Sequence, residues 1–242
     1  MLSIIIPTLN EEKYLPSLLS CLSSQTFRNF EVIVVDGNSD DKTKEVIKKF
    51  SKALSIKTIN SHLRNVSFQR NLGLSKARYE RILFLDADTS FGDDFLEKAL
   101  EEIRERDINV CGCLLYPDSK KLIDRLFFFL FRTYVFLFHG FLGGNGCCIF
   151  TLKSLHKKVK GFDESIIVSE DFDYTRRLRK FTKINLLNSV VVYTSVRRFE
   201  KYGRFRTGFK ILLIGLYVLF IGKIRTDIFK YKFGFRKAEI KK

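Results

Sequence analysis

Arg81-Ile82-Leu83-Phe84-Leu85-Asp86-Ala87-Asp88 is an apolar run without alternation that ends in two carboxylates. Such a run suits a strand buried on both faces of a mostly parallel sheet, because a strand with one wet face alternates polar and apolar side chains. The pattern recurs at Leu2–Ile6, Glu31–Val35 and Ile56–Ile59, each followed by polar residues and a helix-like stretch. Tyr14, Leu15, Leu18, Leu19 and Leu22 repeat at helical spacing, and Asp40-Asp41 precede a second helical segment, Thr43–Phe50, as a cap with acidic residues in its first turn. The βαβα order predicts a single doubly wound, Rossmann-like α/β sheet. Ligands of such sheets bind outside the carboxyl ends of the strands. Those ends read Pro7-Thr8-Leu9-Asn10-Glu11, Asp36-Gly37-Asn38-Ser39-Asp40 and Asp86-Ala87-Asp88, so acidic residues from three segments are expected at one edge.

Further along, a helix is expected around Asp93–Arg106 and a strand around Val110–Leu115, before an aromatic stretch, Leu126–Leu142, and the break Gly143-Gly144-Asn145-Gly146. A strand at Cys147–Leu152, a helix at Asp171–Phe181 and a strand at Ser189–Thr194 then complete the same domain. With 242 residues, 45% apolar and 29% charged, the chain suits one globular domain, expected at 1–198, and a basic, partly apolar segment at 199–242. The formal charge is +16, and residues 197–242 hold fourteen basic against three acidic residues, so the preference for anions is mainly C-terminal. Five cysteines without a CxxC pair argue against a disulfide framework or a zinc site and read as reduced core residues. The N-terminus shows no signal-peptide pattern, so a cytoplasmic location is expected.

Carboxylates at i and i+2 of an extended segment share a face, which makes Asp86 and Asp88 candidate ligands for Mg²⁺ or Mn²⁺ shared with substrate phosphates; the competing reading is a solvated turn. Asp36 can accept from a base N–H or a ribose hydroxyl while Gly37 allows close backbone approach, or it can simply shape a turn. Glu170, Asp171 and Asp173 read by themselves as an acidic helix start paired with Arg176 or Arg177. The Gly143–Gly146 stretch lacks the Walker spacing and the following Lys-Ser/Thr of a phosphate-cradling loop. Arg197 and Arg198 are candidate contacts for a diphosphate or a phosphate acceptor, the competing reading being a solvated charge run beside core aromatics.

Ser3–Glu11, Val34–Thr43, Arg70-Asn71 with Gly73, Leu83–Asp88, Gly161-Phe162-Asp163-Glu164 and Ser169–Asp173 resemble, in order, the motifs of family-two glycosyltransferases of the GT-A fold, over about the first four-fifths of the chain. The resemblance implies an inverting transfer from a nucleotide diphosphate sugar. Pro7, Thr8 and Glu11 would line the nucleoside pocket, Asp36 would bind the base, and Arg70 would sit by the nucleotide. Asp86 and Asp88 would hold Mn²⁺ or Mg²⁺ on the diphosphate, and Asp171 would be the base. The expected reaction moves a hexose from a UDP- or GDP-sugar to a lipid-linked or glycan acceptor. A sugar-phosphate nucleotidyltransferase would call for a glycine-rich basic loop near the N-terminus, where Pro7–Glu11 supplies none. A nucleic-acid-binding protein is disfavoured, because carboxylates at strand ends repel a phosphate backbone.

Leu126–Leu142 is interrupted by Arg132 and His139, and Ile211–Gly222 is apolar for only twelve positions, so neither suits a membrane span. Both read as interfacial or core helices. Basic residues flanking the second favour peripheral attachment to an anionic, cytoplasmic membrane face.

Overall fold

A computed structural model describes residues 1–142 and 146–230. The first half alternates strand and helix: β1 (Leu2–Thr8), α1 (Leu15–Ser23), β2 (Phe30–Asp36), α2 (Thr43–Phe50), β3 (Ile56–Asn60), α3 (Val66–Ser75) and β4 (Arg81–Leu85). The unbroken apolar runs are explained by two-sided burial. Ile4, Ile6, Val32, Val34, Leu83 and Leu85 face one core with Leu15, Leu18 and Leu19 of α1, whereas Ile5, Ile33, Val35, Ile82 and Phe84 face a second core with Leu74. Each residue step along the strand swaps the face, so both faces stay apolar.

The second half contains β5 (Thr89–Ser90), α4 (Phe95–Glu105), β6 (Val110–Pro117), α5 (Leu122–Leu142), β7 (Cys148–Leu152) and α6 (Lys153–Lys158). It ends with α7 (Glu170–Leu178), β8 (Ile184–Thr194), α8 (Arg197–Tyr202) and α9 (Arg204–Phe220). The strands form one sheet in the order β3-β2-β1-β4-β7-β6-β8-β5. The sheet is mostly parallel, as the sequence implied, but β7 runs antiparallel to both β4 and β6, and β5 antiparallel to β8. Residue pattern does not reveal this reversal, because a strand buried on both faces looks alike in either direction.

The last strand starts five residues before the expected Ser189. A register shift accounts for that, since Leu187 pairs with Cys113 and Val191 with Leu114. Polar Asn188 and Ser189 sit in the bulge, where their backbone N–H groups donate to the Glu102 carboxylate at 3.1 and 2.9 Å. At α2, Asp41 receives the Thr43 N–H at 2.9 Å, so the expected acidic start is present, although Asp41 precedes the N-cap position Lys42. None of the five cysteines forms a disulfide, and three are buried, with Cys113 Sγ 3.2 Å from Cys148 Sγ. The aromatic stretch is the amphipathic helix α5, with Val135 buried and Leu126, Phe129 and Leu130 exposed. Among the described residues, no helix is long and apolar enough to cross a membrane.

Candidate active site

The carboxyl ends of β1, β2 and β4 lie side by side, because Thr8 is in register with Asp36 and Ile5 with Phe84. This register brings the three acidic strand ends to one edge, where they separate into three small networks.

Arg70 is the centre of the first. It sits on α3, only 2% exposed, and donates to Asp86 Oδ1 and to Glu170 Oε1, both at 2.8 Å, and to the Gly146 carbonyl at 3.2 Å. Its guanidinium carbon lies 5.1 Å from the Phe162 ring centre. Burial works to lower its pKa, but Asp86, Glu170 and Asp171 outweigh it and hold Arg70 above the ordinary arginine value. Asp86, on the loop after β4, is pushed up by burial against the pull of Arg70. Asp171, in the first turn of α7, is pushed up to about 7 by burial and by the neighbouring Glu170. Ser169, just before that helix, has φ 64°, a left-handed backbone uncommon for a non-glycine residue. Gly146 lies hard against the base candidate, since a Cβ there would stand 2.6 Å from the Asp171 carboxyl carbon. Gly143, Gly144 and Asn145, the rest of that break, lie outside the described residues.

The second network joins residues 186 positions apart. Arg197, the first residue of α8, makes two hydrogen bonds to Glu11, at 2.6 and 2.9 Å, and lies 3.2 Å from Asp88 Oδ2. It also stacks over Tyr14 at 4.8 Å. Burial, with Asp88 and Asp86 nearby, pushes Glu11 up to about 7 against the pull of Arg197. Ser195 N–H donates to the Asp88 carbonyl at 3.1 Å, which fixes the start of α8 beside the acidic loop. Arg198 follows in α8, half-buried, and its carbonyl accepts from the Thr207 hydroxyl at 3.2 Å.

The third network turns inward. Asp36 is fully buried and accepts from Ser39 Oγ at 2.5 Å, Ser39 N–H at 3.1 Å and Thr8 Oγ1 at 3.3 Å. What approaches Gly37 closely is Gln69, whose amide donates to the Thr8 and Val35 carbonyls at 2.9 and 3.0 Å. Pro7 and Thr8 are buried in β1, Pro7 in register with Val35. Asp173 does not join the cluster, because it pairs with Arg177 at 2.7 Å and Arg176 at 3.5 Å, the helix-face reading of that charge run.

The sequence singled out Asp86, Asp88, Glu11, Arg70, Arg197 and Asp171 as candidates, which the fold sorts into an Arg70–Asp86–Asp171 network and a Glu11–Asp88–Arg197 network. It missed Glu170 as the second partner of Arg70, although the adjacent Glu170-Asp171 pair carried a signal. Nothing in the sequence announced Tyr14 beneath Arg197. Asp86 and Asp88 offer hard oxygen atoms at side-chain exposures of 36% and 13%, which fits a Mg²⁺ or Mn²⁺ ion completed by substrate phosphates and water. Among the described residues, no three His, Cys, Asp or Glu side chains form a metal cage of their own.

Known proteins resemble this chain in sequence and in fold. The chain is 35% identical over 112 residues to the poly(ribitol-phosphate) beta-N-acetylglucosaminyltransferase TarS of Staphylococcus aureus, a match covering 45% of this chain and 20% of TarS. The crystal structure of TarS 1-349 in complex with UDP-GlcNAc superposes with a TM-score of 0.66 at 22% identity, covering 89% of this chain and 66% of that one. Identity is 26% over 223 residues to the dolichyl N-acetyl-alpha-D-glucosaminyl phosphate 3-beta-D-2,3-diacetamido-2,3-dideoxy-beta-D-glucuronosyltransferase of Methanococcus voltae, covering 83% of this chain and 70% of that protein. The mannosyltransferase PcManGT of Pyrobaculum calidifontis, solved with GDP-Man and Mn²⁺, gives a TM-score of 0.73 at 19% identity over 90% of this chain and 63% of its own. The chain thus spans about a fifth of the TarS sequence, and the structural likeness establishes a GT-A-type α/β fold. The description "Glycosyl transferase family 2" matches residues 3–160, which build β1 to β7 and carry both carboxylates of the Asp86-Ala87-Asp88 loop, so this chain belongs to glycosyl transferase family 2.

Proposed function

We propose that this protein is an inverting glycosyltransferase that moves a hexose from a UDP- or GDP-linked sugar to a lipid-linked or glycan acceptor at the cytoplasmic face of a membrane. The observation that carries the reading is the placement of Asp171 beside the Arg70–Asp86 pair, with its pKa pushed up to about 7 by burial and Glu170. A carboxylate poised near neutrality suits a general base, and one base opposite a leaving diphosphate favours inversion. The acceptor oxygen attacks the anomeric carbon as its proton passes to Asp171, and the bond from that carbon to the diphosphate oxygen breaks.

A bound Mn²⁺ or Mg²⁺, held by Asp86 and Asp88, would neutralise the leaving diphosphate as a Lewis acid. Arg70, 2.8 Å from Asp86 Oδ1, orients that carboxylate and favours its ionised form against burial. Arg197 pairs with Glu11 and Asp88 in the structure described, which puts its guanidinium beside a carboxylate that would hold the metal and makes it a diphosphate contact on this reading. Thr8, Pro7 and Glu11 border the nucleoside side of the edge, with Arg198 a further phosphate contact. Asp36, tied to Ser39 and Thr8, shapes that pocket and reaches the base only by exchanging one of those hydrogen bonds. Residues 1–198 are the transferase unit on this reading, and 199–242 the membrane-facing segment.

The test is nucleoside diphosphate release from a panel of nucleotide sugars, with and without Mn²⁺ or Mg²⁺. Asp88→Ala is expected to abolish release. Full turnover in that variant overturns the metal assignment, and full turnover in Asp171→Asn places the base elsewhere.

A further inference from the structure

Helices α5 and α9 pack on one another through residues far apart in sequence. Asp124, fully buried in α5, accepts from Arg204 of α9 at 2.6 and 3.1 Å. Phe127 meets Phe205 with ring centres 5.8 Å apart, and Gly208 leaves room for its edge, since a Cβ there would lie 2.8 Å from Phe127 Cε1. The two helices thus form one unit, and both leave an apolar face uncovered.

On α9, Phe205, Phe209, Leu212, Leu216, Leu219 and Phe220 follow helical spacing and are 43 to 78% exposed, while only Thr207 and Ile214 are buried. On α5, Leu122, Leu126, Phe129 and Leu130 repeat the pattern at 53 to 81% exposure. Exposed apolar rows of this length on two helices packed together are rare on a protein bathed in water alone. Charge is one-sided beside them. Lys121 just before α5 and Arg125 within it, and Arg206 and Lys210 along α9, form pairs four residues apart, each residue next in sequence to a member of the apolar row. The sole acidic residue within either helix is Asp124, whose charge is taken up by Arg204.

We propose that the joined α5–α9 face lies on an anionic lipid bilayer, with the apolar rows among the acyl chains and the four basic side chains at the headgroups. Helices with strong polar–apolar segregation and basic flanks lie in the plane of the interface. Asp124 and Arg125 early in α5, and a length of about 25 Å for the 17 residues of α9, do not suit crossing. The face also adjoins the catalytic edge. A cavity of about 660 Å³ bounded by Tyr116, Lys120, Arg125, Phe129, Arg132 and Tyr193 opens at the start of α5. Tyr193 precedes Thr194, whose strand partner Thr89 directly follows Asp88. This inference deepens the reading of a membrane-presented acceptor and rests on it for its purpose, but its test needs neither donor nor acceptor.

The experiment is flotation of the full chain with vesicles of phosphatidylcholine, with and without about a third phosphatidylglycerol. Expected are co-flotation with the anionic vesicles, loss of binding as salt is raised, and an at least tenfold weaker partition for the pair Phe209→Asp and Leu216→Asp. The charge variant Lys121→Glu, Arg125→Glu and Arg206→Glu is expected to lose the preference for anionic lipid. Both variants alter exposed positions, and circular dichroism with urea unfolding checks that they fold as the parent does. If the folded parent stays at the bottom of the gradient, the proposal is overturned. Concentration-dependent dimers in sedimentation, abolished by Leu216→Asp without any flotation of the parent, assign the face to a second copy instead and overturn it equally. Failure here leaves the nucleotide-sugar assay intact, so the two readings fail separately.

Discussion

Replacing Arg70 with Met keeps much of the side-chain volume and removes the buried charge that Asp86 and Glu170 share. Both ion pairs are 2.8 Å long, Arg70 is 2% exposed and Glu170 8%, so water cannot take over the lost role at Glu170. Breaking a buried pair by removing one partner costs about 3–5 kcal/mol, because the remaining charge is left uncompensated. For a chain of this size each kcal/mol corresponds to roughly 2–4 °C, so the melting temperature is expected to fall by roughly 6–20 °C. The loss has a pH signature. Without Arg70 the carboxylates around it have folded-state pKa values raised above their unfolded ones by burial, as Asp171 already has. A carboxyl group raised in this way contributes its stability below the unfolded pKa, and that contribution is lost as pH rises through the folded value. The deficit of Arg70→Met relative to the parent should therefore be larger at pH 8 than at pH 5. Urea unfolding at both values measures it. Arg70→Lys should fall between the two, since an ammonium cannot match a planar guanidinium across two carboxylates and the Gly146 carbonyl. Adding Glu170→Gln to Arg70→Met should recover part of the loss. A variant within about 1 kcal/mol of the parent at both pH values would refute the claim that Arg70 organises this site.

The same geometry sets other outcomes. Asp171→Asn should eliminate transfer yet stabilise the fold at pH 8 by on the order of 1 kcal/mol, with the gain vanishing near pH 4, because a buried carboxylate is costly only when ionised. If Asp171 is the base, kcat/KM should climb with pH and level off above about 7, and a flat profile from pH 5 to 8 would argue against it. Gly146→Ala should displace the Asp171 carboxyl group and lower kcat more than it raises KM, readable in steady-state kinetics. In α3, Gly73→Ala would bring a Cβ to 2.5 Å from Ile5 Cγ2 and 3.0 Å from Val35 Cγ2, so overpacking of about 1–3 kcal/mol should exceed the helix-propensity gain in urea unfolding.

The sequence by itself determined the βαβα frame, the edge where the acidic strand ends gather and the Asp86-Ala87-Asp88 loop, because apolar runs, helical spacing and strand-end carboxylates are local signals. The aromatic stretch was recognisable as something other than a span, since Arg132 lies within it. Tertiary structure alone decided the reversed direction of β7, the union of Glu11 with Arg197 across 186 positions, and the capture of Arg70 by Glu170. It also turned Asp36 inward onto Ser39 and Thr8, where a strand-end carboxylate could equally have faced a ligand. These depend on which partner reaches a buried charge first. That is settled by packing and desolvation across the sheet, and no window of neighbouring residues encodes it.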